Sequence, residues 1–233
     1  MTLALGTTED EPPSPASPAL IRHDVVNTGC TVPAAALTDR ELADWVRVHS
    51  VSVIARDDRD LDLVQYRNIR PVQVVYRCGP ATAALRRAVA LGVSRVIVST
   101  AQQMARIAES THSTKYLHLD DPAPLMLGDK RLRVIGLHTE VGVCTDPAEW
   151  ASSAQRLIGR AAVLKACGST IKRITLSGGS TKLWLAHHDS QVDAIIDTVD
   201  RAVRDECRRR QLARPAVTLT ALTAATSAAR PTG

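Results

Sequence analysis

The sequence predicts an α/β barrel of eight parallel strands with one connecting helix missing, and three observations carry that prediction. Short β-branched, apolar runs recur eight times along the chain. Amphipathic helical segments alternate with them, the arrangement that builds a parallel sheet. Most of the runs are continuously apolar rather than alternating, which marks strands covered on both faces. An open, doubly wound sheet is the competing arrangement. It is weakened because no glycine-rich dinucleotide turn follows the first run.

The strand-like runs are Asp24–Thr28, Val51–Ala55, Val72–Tyr76, Arg95–Ser99, Lys115–Leu119, Arg133–His138, Lys172–Ser177 and Ala216–Thr220. The first helix is expected over Leu37–His49, opening at Thr38 with Glu41 three residues on, a capping-box spacing. Asp58–Asn68 and Ala81–Leu91 follow, the latter after Pro80 and closed by Gly92. Ala101–Ser110 comes next, then two long helices, Pro147–Cys167 and Ser190–Leu212. Between Asp120 and Lys130 the prolines and glycine leave no room for a helix, so this unit is the stripped one. The barrel domain is expected over 23–220, with a disordered N-terminal tail over 1–22 and another tail over 221–233.

Composition narrows the function classes. A chain of 233 residues, 45% hydrophobic and 23% charged, has the make-up of a globular domain. No apolar run reaches the ~18 residues that cross a bilayer, and the first twenty residues lack the basic start and apolar core of a signal peptide. A cytoplasmic protein without membrane contact is the expectation. The net charge of +5 comes from dispersed bases. Their densest group, Arg204, Arg208, Arg209 and Arg210, is interleaved with Asp205 and Glu206 and reads as a solvated helix end. With three Trp, three Tyr and no Phe, there is little surface for stacking bases, so nucleic acid is not an expected partner. Five scattered cysteines with no CxxC pair argue for reduced thiols over a zinc site or a disulfide framework.

Two strand ends carry the candidate chemistry. Gly136-Leu137-His138-Thr139-Glu140-Val141-Gly142 closes the sixth run, and alternation sends His138 and Glu140 to one face, with Thr139 on the other. If that face is the interior, an imidazole and a carboxylate meet near the mouth, where they suit acid–base work; otherwise they pair with each other or with an arginine. Ser177-Gly178-Gly179-Ser180 closes the seventh run, with Lys182 close by. Consecutive glycines let backbone N–H groups converge on an anion, and the end of the seventh strand is a usual phosphate site in such barrels. Elsewhere the polar groups read as structural. His49 caps a helix; His187 and His188 point apart; Asp57, Asp58, Asp60 and Asp62 form a solvated first turn; Cys144 is a small buried residue.

These motifs resemble the GLHxHxGS and DxGGG signatures of the fold-type III pyridoxal-phosphate decarboxylases acting on ornithine, arginine and diaminopimelate. Ile69–Ile107 is similar to the same family's pattern of strand, turn, helix ending in "ALGV" and strand ending in serine. The resemblance implies a barrel of the alanine racemase and decarboxylase type over about Asp24–Thr220. It implies pyridoxal phosphate as the cofactor, bound near Gly142, Ser177, Gly178, Gly179 and Ser180, with His138 and Glu140 as catalytic candidates. It also marks departures. The family's Schiff-base lysine ends the first strand, whereas here the earliest of five lysines is Lys115. Glu140 stands for the histidine that stacks on the cofactor ring, Val143 for a phosphate-binding serine, and Ser180 for the third glycine. The family's C-terminal β domain has no counterpart in these residues.

The implied protein is a decarboxylase-like barrel without classical decarboxylase activity, with a binding or regulatory role and a partner in a second copy or an active relative. Two alternatives stand beside it: an enzyme on a small phosphorylated molecule using His138 and Glu140, and non-covalent binding of pyridoxal phosphate at the glycine turn.

Overall fold

A computed structural model of the chain describes residues 28–121, 123–124, 130–142, 146–179 and 190–222. Eight parallel strands close in sequence order into a barrel: β1 (Thr28–Pro33), β2 (Ser52–Ala55), β3 (Val74–Arg77), β4 (Arg95–Val98), β5 (Lys115–Asp120), β6 (Leu132–Gly142), β7 (Arg173–Gly178) and β8 (Ala216–Thr220). Closure is made by β1 against β8, Thr28 facing Val217 and Thr31 facing Thr220. The open-sheet alternative is thereby excluded.

Six helices cover the outside among the described residues: α1 (Arg40–Val48), α2 (Asp58–Tyr66), α3 (Thr82–Ala90), α4 (Ala101–Ser110), α5 (Pro147–Ala166) and α6 (Ser190–Arg209). The described part of the β5–β6 connection is non-helical, as its prolines require. The two long helices, α5 and α6, pack against each other.

The alternation of each strand divides the apolar residues into two populations. Val53, Val74, Val96, Leu117, Leu137, Ile174, Leu176, Val217 and Leu219 join the helices in one large outer core. Ile54, Val75 and Ile97 form a separate small cluster inside the barrel. Continuous apolar runs are therefore strands buried on both sides.

Several boundaries differ from the sequence expectation. The first strand is displaced toward the C-terminus: of Asp24–Thr28 only Thr28 lies in it, and residues 24–27 are outside the described range. Pairing with β8 and with Ser52–Ile54 of β2 sets its place, overriding the weak strand propensity of Gly29 and Pro33. Leu37–His49 is divided into a 3-10 turn, Ala34–Thr38, and α1. The cap is Asp39, whose carboxylate accepts from the N–H groups of Glu41 and Leu42, while Thr38 donates its hydroxyl back to Ala35 O. Aspartate one residue later satisfies two orphan donors, which outcompetes the capping box expected at Thr38. The sixth strand runs on through Glu140 to Gly142, so the motif read as a strand end lies within the strand.

Other expectations agree with the structure. Thr100 and Gln103 form a complete capping box on α4. His49 ends α1 and its Nδ1 lies 2.9 Å from Trp45 O. Asp57 caps α2, Asp60 accepts from Arg56 N, and Asp58 and Asp62 pair with Arg87. The arginine-rich end of α6 is neutralised locally, Arg209 and Arg210 both on Glu206. Cys78, Cys167 and Cys207 are free thiols, and burial pushes Cys78 up to about 12. His187, His188, Lys182 and Cys144 lie outside the described residues.

Candidate functional site

The C-terminal ends of the strands gather polar side chains from six consecutive segments. Arg56 follows β2, Arg77 ends β3, Ser99 follows β4, Asp120 ends β5, and His138 and Glu140 project from β6. Ser177, on β7, completes the group. Each is the inward residue of its strand, because its neighbours, such as Ala55, Tyr76, Val98, Leu119, Leu137 and Leu176, belong to the outer core.

Asp120 is the hub. One carboxylate oxygen lies 2.8 Å from His138 Nδ1; the other accepts from Ser99 Oγ at 2.8 Å and from Arg77 at 3.2 Å. His138 Nε2 lies 2.8 Å from Ser177 Oγ. Arg77 also pairs with Glu140, and Arg56 stands 3.7 Å from the same carboxylate. His138 and Glu140 thus share the interior face, as the alternation requires. They do not pair with each other: Glu140 takes the arginines, and His138 takes Asp120 and Ser177.

Burial alone would raise Asp120, but the bonds from His138 and Ser99 and the charge of Arg77 outweigh it and draw the carboxyl down to about 2. His138 is lowered, by burial first, against the pull of Asp120. An ionised carboxylate only accepts, so the neutral imidazole carries its proton on Nδ1, and Nε2 accepts from the Ser177 hydroxyl. Arg56 is lowered by burial and then by Arg77, which fits two guanidinium groups close together at the mouth.

The order of contacts, Asp120 to His138 to Ser177, matches that of a serine hydrolase relay. Its presentation does not. Ser177 is 1% exposed and His138 0%, so the oxygen is not offered to a substrate in this conformation. The chain ties β5, β6 and β7 together beneath the mouth.

The glycines of the seventh-strand turn have packing roles. A Cβ on Gly178 would lie 2.5 Å from the Trp150 ring of α5, so glycine is what lets that helix approach. Gly179 adopts φ +68°, and its N–H donates to Gly142 O at 2.9 Å. That N–H is therefore committed to β6 rather than to an anion. Gly142, at φ +78°, faces open space. Ser180 is outside the described residues. Gly136 has a similar role to Gly178: a Cβ there would lie 2.4 Å from His118 Nδ1.

Neither β1, with the sequence TGCTVP, nor the described turn after it contributes an amine. Four of the five lysines are described, and all lie away from the mouth. Lys115 starts β5 and donates to Val93 O at 2.7 Å; Lys172 precedes β7; Lys165 ends α5; Lys130 precedes β6. Among the described residues, no group of three or more His, Cys, Asp or Glu is placed to hold a metal.

Solved structures with the same barrel include diaminopimelate decarboxylase from M. jannaschii, with a TM-score of 0.69 at 12% identity over 84% of this chain. Arginine decarboxylase from Paramecium bursaria Chlorella virus matches at 0.66 and 14% over 84%, and lysine decarboxylase from Selenomonas ruminantium at 0.67 and 11% over 87%. The fold is that of the decarboxylase barrel. This chain covers 53%, 57% and 57% of those three chains, so it spans little more than half of each. No protein-family model and no curated protein matches the sequence. A related lysine decarboxylase structure was solved with PLP and cadaverine. Among the described residues, neither β1 nor the strand ends of the mouth carries a lysine, and Lys182 lies outside the described residues.

Sequence reasoning found His138, Glu140 and Ser177 but missed Arg56, Arg77, Ser99 and Asp120. A signal was available: each is a polar residue one step beyond a buried apolar strand residue. In a barrel that position is the mouth.

Proposed function

We propose that this protein is a decarboxylase-like barrel that works without covalent pyridoxal-phosphate chemistry. In this reading it is a cytoplasmic binding or regulatory protein that takes a small phosphorylated ligand at the barrel mouth and pairs with a second copy or with an active relative. The observation that supports it is the first strand, Thr28–Pro33, which has no lysine where the resemblance puts the cofactor's amine. In place of an amine the mouth offers the guanidinium groups of Arg56 and Arg77, which would take an anionic head group by exchanging their present partner Glu140 for it.

The test is incubation with pyridoxal phosphate, borohydride reduction and peptide mass spectrometry. The expected result is no stoichiometric pyridoxyl-lysine. One fully modified lysine, lost on its substitution by alanine, would overturn the proposal. Reversible binding of the coenzyme tighter than ~1 mM by equilibrium dialysis would make pyridoxal phosphate itself the ligand.

A second reading, an enzyme on a phosphorylated small molecule, is favoured by the Asp120–His138 bond. This bond holds a neutral imidazole in one tautomer beside Glu140, which is 39% exposed. Glu140→Gln is then expected to abolish turnover on a phosphometabolite panel while circular dichroism stays unchanged. A wild-type protein inert across the panel rejects this reading.

A further inference from the structure

We propose that the N-terminal half of the barrel interior is a binding site for a single halide-sized anion, enclosed by Arg95, His118 and Arg173. The site is separate from the mouth. It lies below His138: His118 precedes Asp120 of the mouth by two positions on β5, whereas Arg95 and Arg173 precede Ser99 and Ser177 by four.

A small cavity of about 30 Å³ is lined by these three side chains and by Thr31, Thr175 and Thr218. That volume matches roughly one water-sized particle. It admits a monatomic anion and excludes sulfate or phosphate. The polar lining consists of guanidinium, imidazole and hydroxyl groups, all of which can donate, and no carboxylate is among them.

Charge and orphaned polar groups both point to an anion. Among the described residues, neither Arg95 nor Arg173 forms an ion pair; Arg95 spends two nitrogens on Ser52 Oγ and Val72 O, at 3.2 and 2.7 Å. Its Nε is buried without a partner. His118 is 4% exposed, and neither of its ring nitrogens has a hydrogen-bond partner. Three buried nitrogens left unsatisfied are costly, and so are neighbouring cations with no counter-charge. A single anion accepts from the Arg95 Nε–H and from one imidazole N–H, and supplies the counter-charge. The His118 pKa is lowered by burial first, then by His138, with smaller contributions from Arg95 and Arg173, so both guanidinium groups lie within electrostatic reach of the ring. The lining also accounts for Gly136, whose missing side chain leaves His118 the room to lie across the interior.

The experiment titrates the whole protein with sodium bromide against sodium gluconate at constant ionic strength, reading Tm, and locates bromide by anomalous diffraction. A saturable, bromide-specific rise in Tm is expected, with an anomalous peak between Arg95, His118 and Arg173. Arg173→Gln, at the exposed start of β7, is expected to keep the fold and weaken the bromide midpoint by about tenfold, as for loss of one charged hydrogen bond. Thr218→Val, which keeps the side-chain shape, is expected to weaken it less. A Tm that follows ionic strength whatever the anion, or a cavity filled by water alone in bromide-soaked crystals, overturns the proposal.

Discussion

Asp120→Ala is expected to destabilise the protein by about 3–5 kcal/mol, the cost of leaving buried charges and donors without their acceptor. The carboxylate serves three groups at once, and its side chain is only 10% exposed. Its removal strands the Nδ1 proton of His138, the Ser99 hydroxyl and one arm of Arg77. Asp120→Asn keeps the volume but loses the charge, and should cost less. Urea unfolding at neutral pH measures both, and a loss below ~1 kcal/mol for the alanine variant would show that the hub is not structural.

The same carboxylate sets a pH dependence whose sign follows from its depressed pKa. A group drawn from 3.8 to about 2 on folding contributes stability above its unfolded pKa, and that contribution is lost as the pH falls toward 2. The contribution of the Asp120 carboxyl to wild-type stability should therefore be constant from about pH 5 upward and fall by roughly 1 kcal/mol by pH 3. His138, lowered by burial, acts with the same sign on the wild type: the unfolded chain takes up a proton below about pH 6.5 that the folded imidazole refuses. An Asp120 carboxyl that titrates at or above 3.8 in the folded protein, read by carbon NMR, would contradict this assignment.

The second large effect is expected at Gly178. Gly178→Ala places a methyl group 2.5 Å from the Trp150 ring, which is fully buried between barrel and helix. Overpacking of this kind costs about 1–3 kcal/mol. If the cost is steric, Trp150→Phe should relieve it, because the atoms in the way belong to the larger ring of the indole. The double variant is then expected to be more stable than the sum of the single losses, a coupling measurable by a double-mutant cycle. Simple additivity would mean that the glycine serves the backbone or a ligand rather than the helix.

Trp150 illustrates why a motif can be legible while its purpose is not. Ser177-Gly178-Gly179 was readable as a special turn, and phosphate was the reason at hand. The structure supplies others: α5 presses on Gly178, and Gly179 bonds back to Gly142. Likewise, Glu140 was readable as an interior carboxylate. Its partners, Arg77 and Arg56, come from strands 63 residues or more away in the chain, and no local pattern announces such a pairing.

The barrel itself was legible because it rests on local chemistry. Apolar runs of strand length, amphipathic segments of helix length and Pro or Gly at their ends are written residue by residue, and they sufficed for the fold. The lack of an early lysine is equally a property of the sequence alone. Closure decided the rest. The weak first strand, TGCTVP, takes its position from β8 and β2, so its boundary could not be read from its own residues. Closure also brings Asp120, His138 and Ser177 into one hydrogen-bonded line, and Arg95, His118 and Arg173 around one cavity. Those meetings depend on the register between strands, and register is set by the packing of the whole barrel.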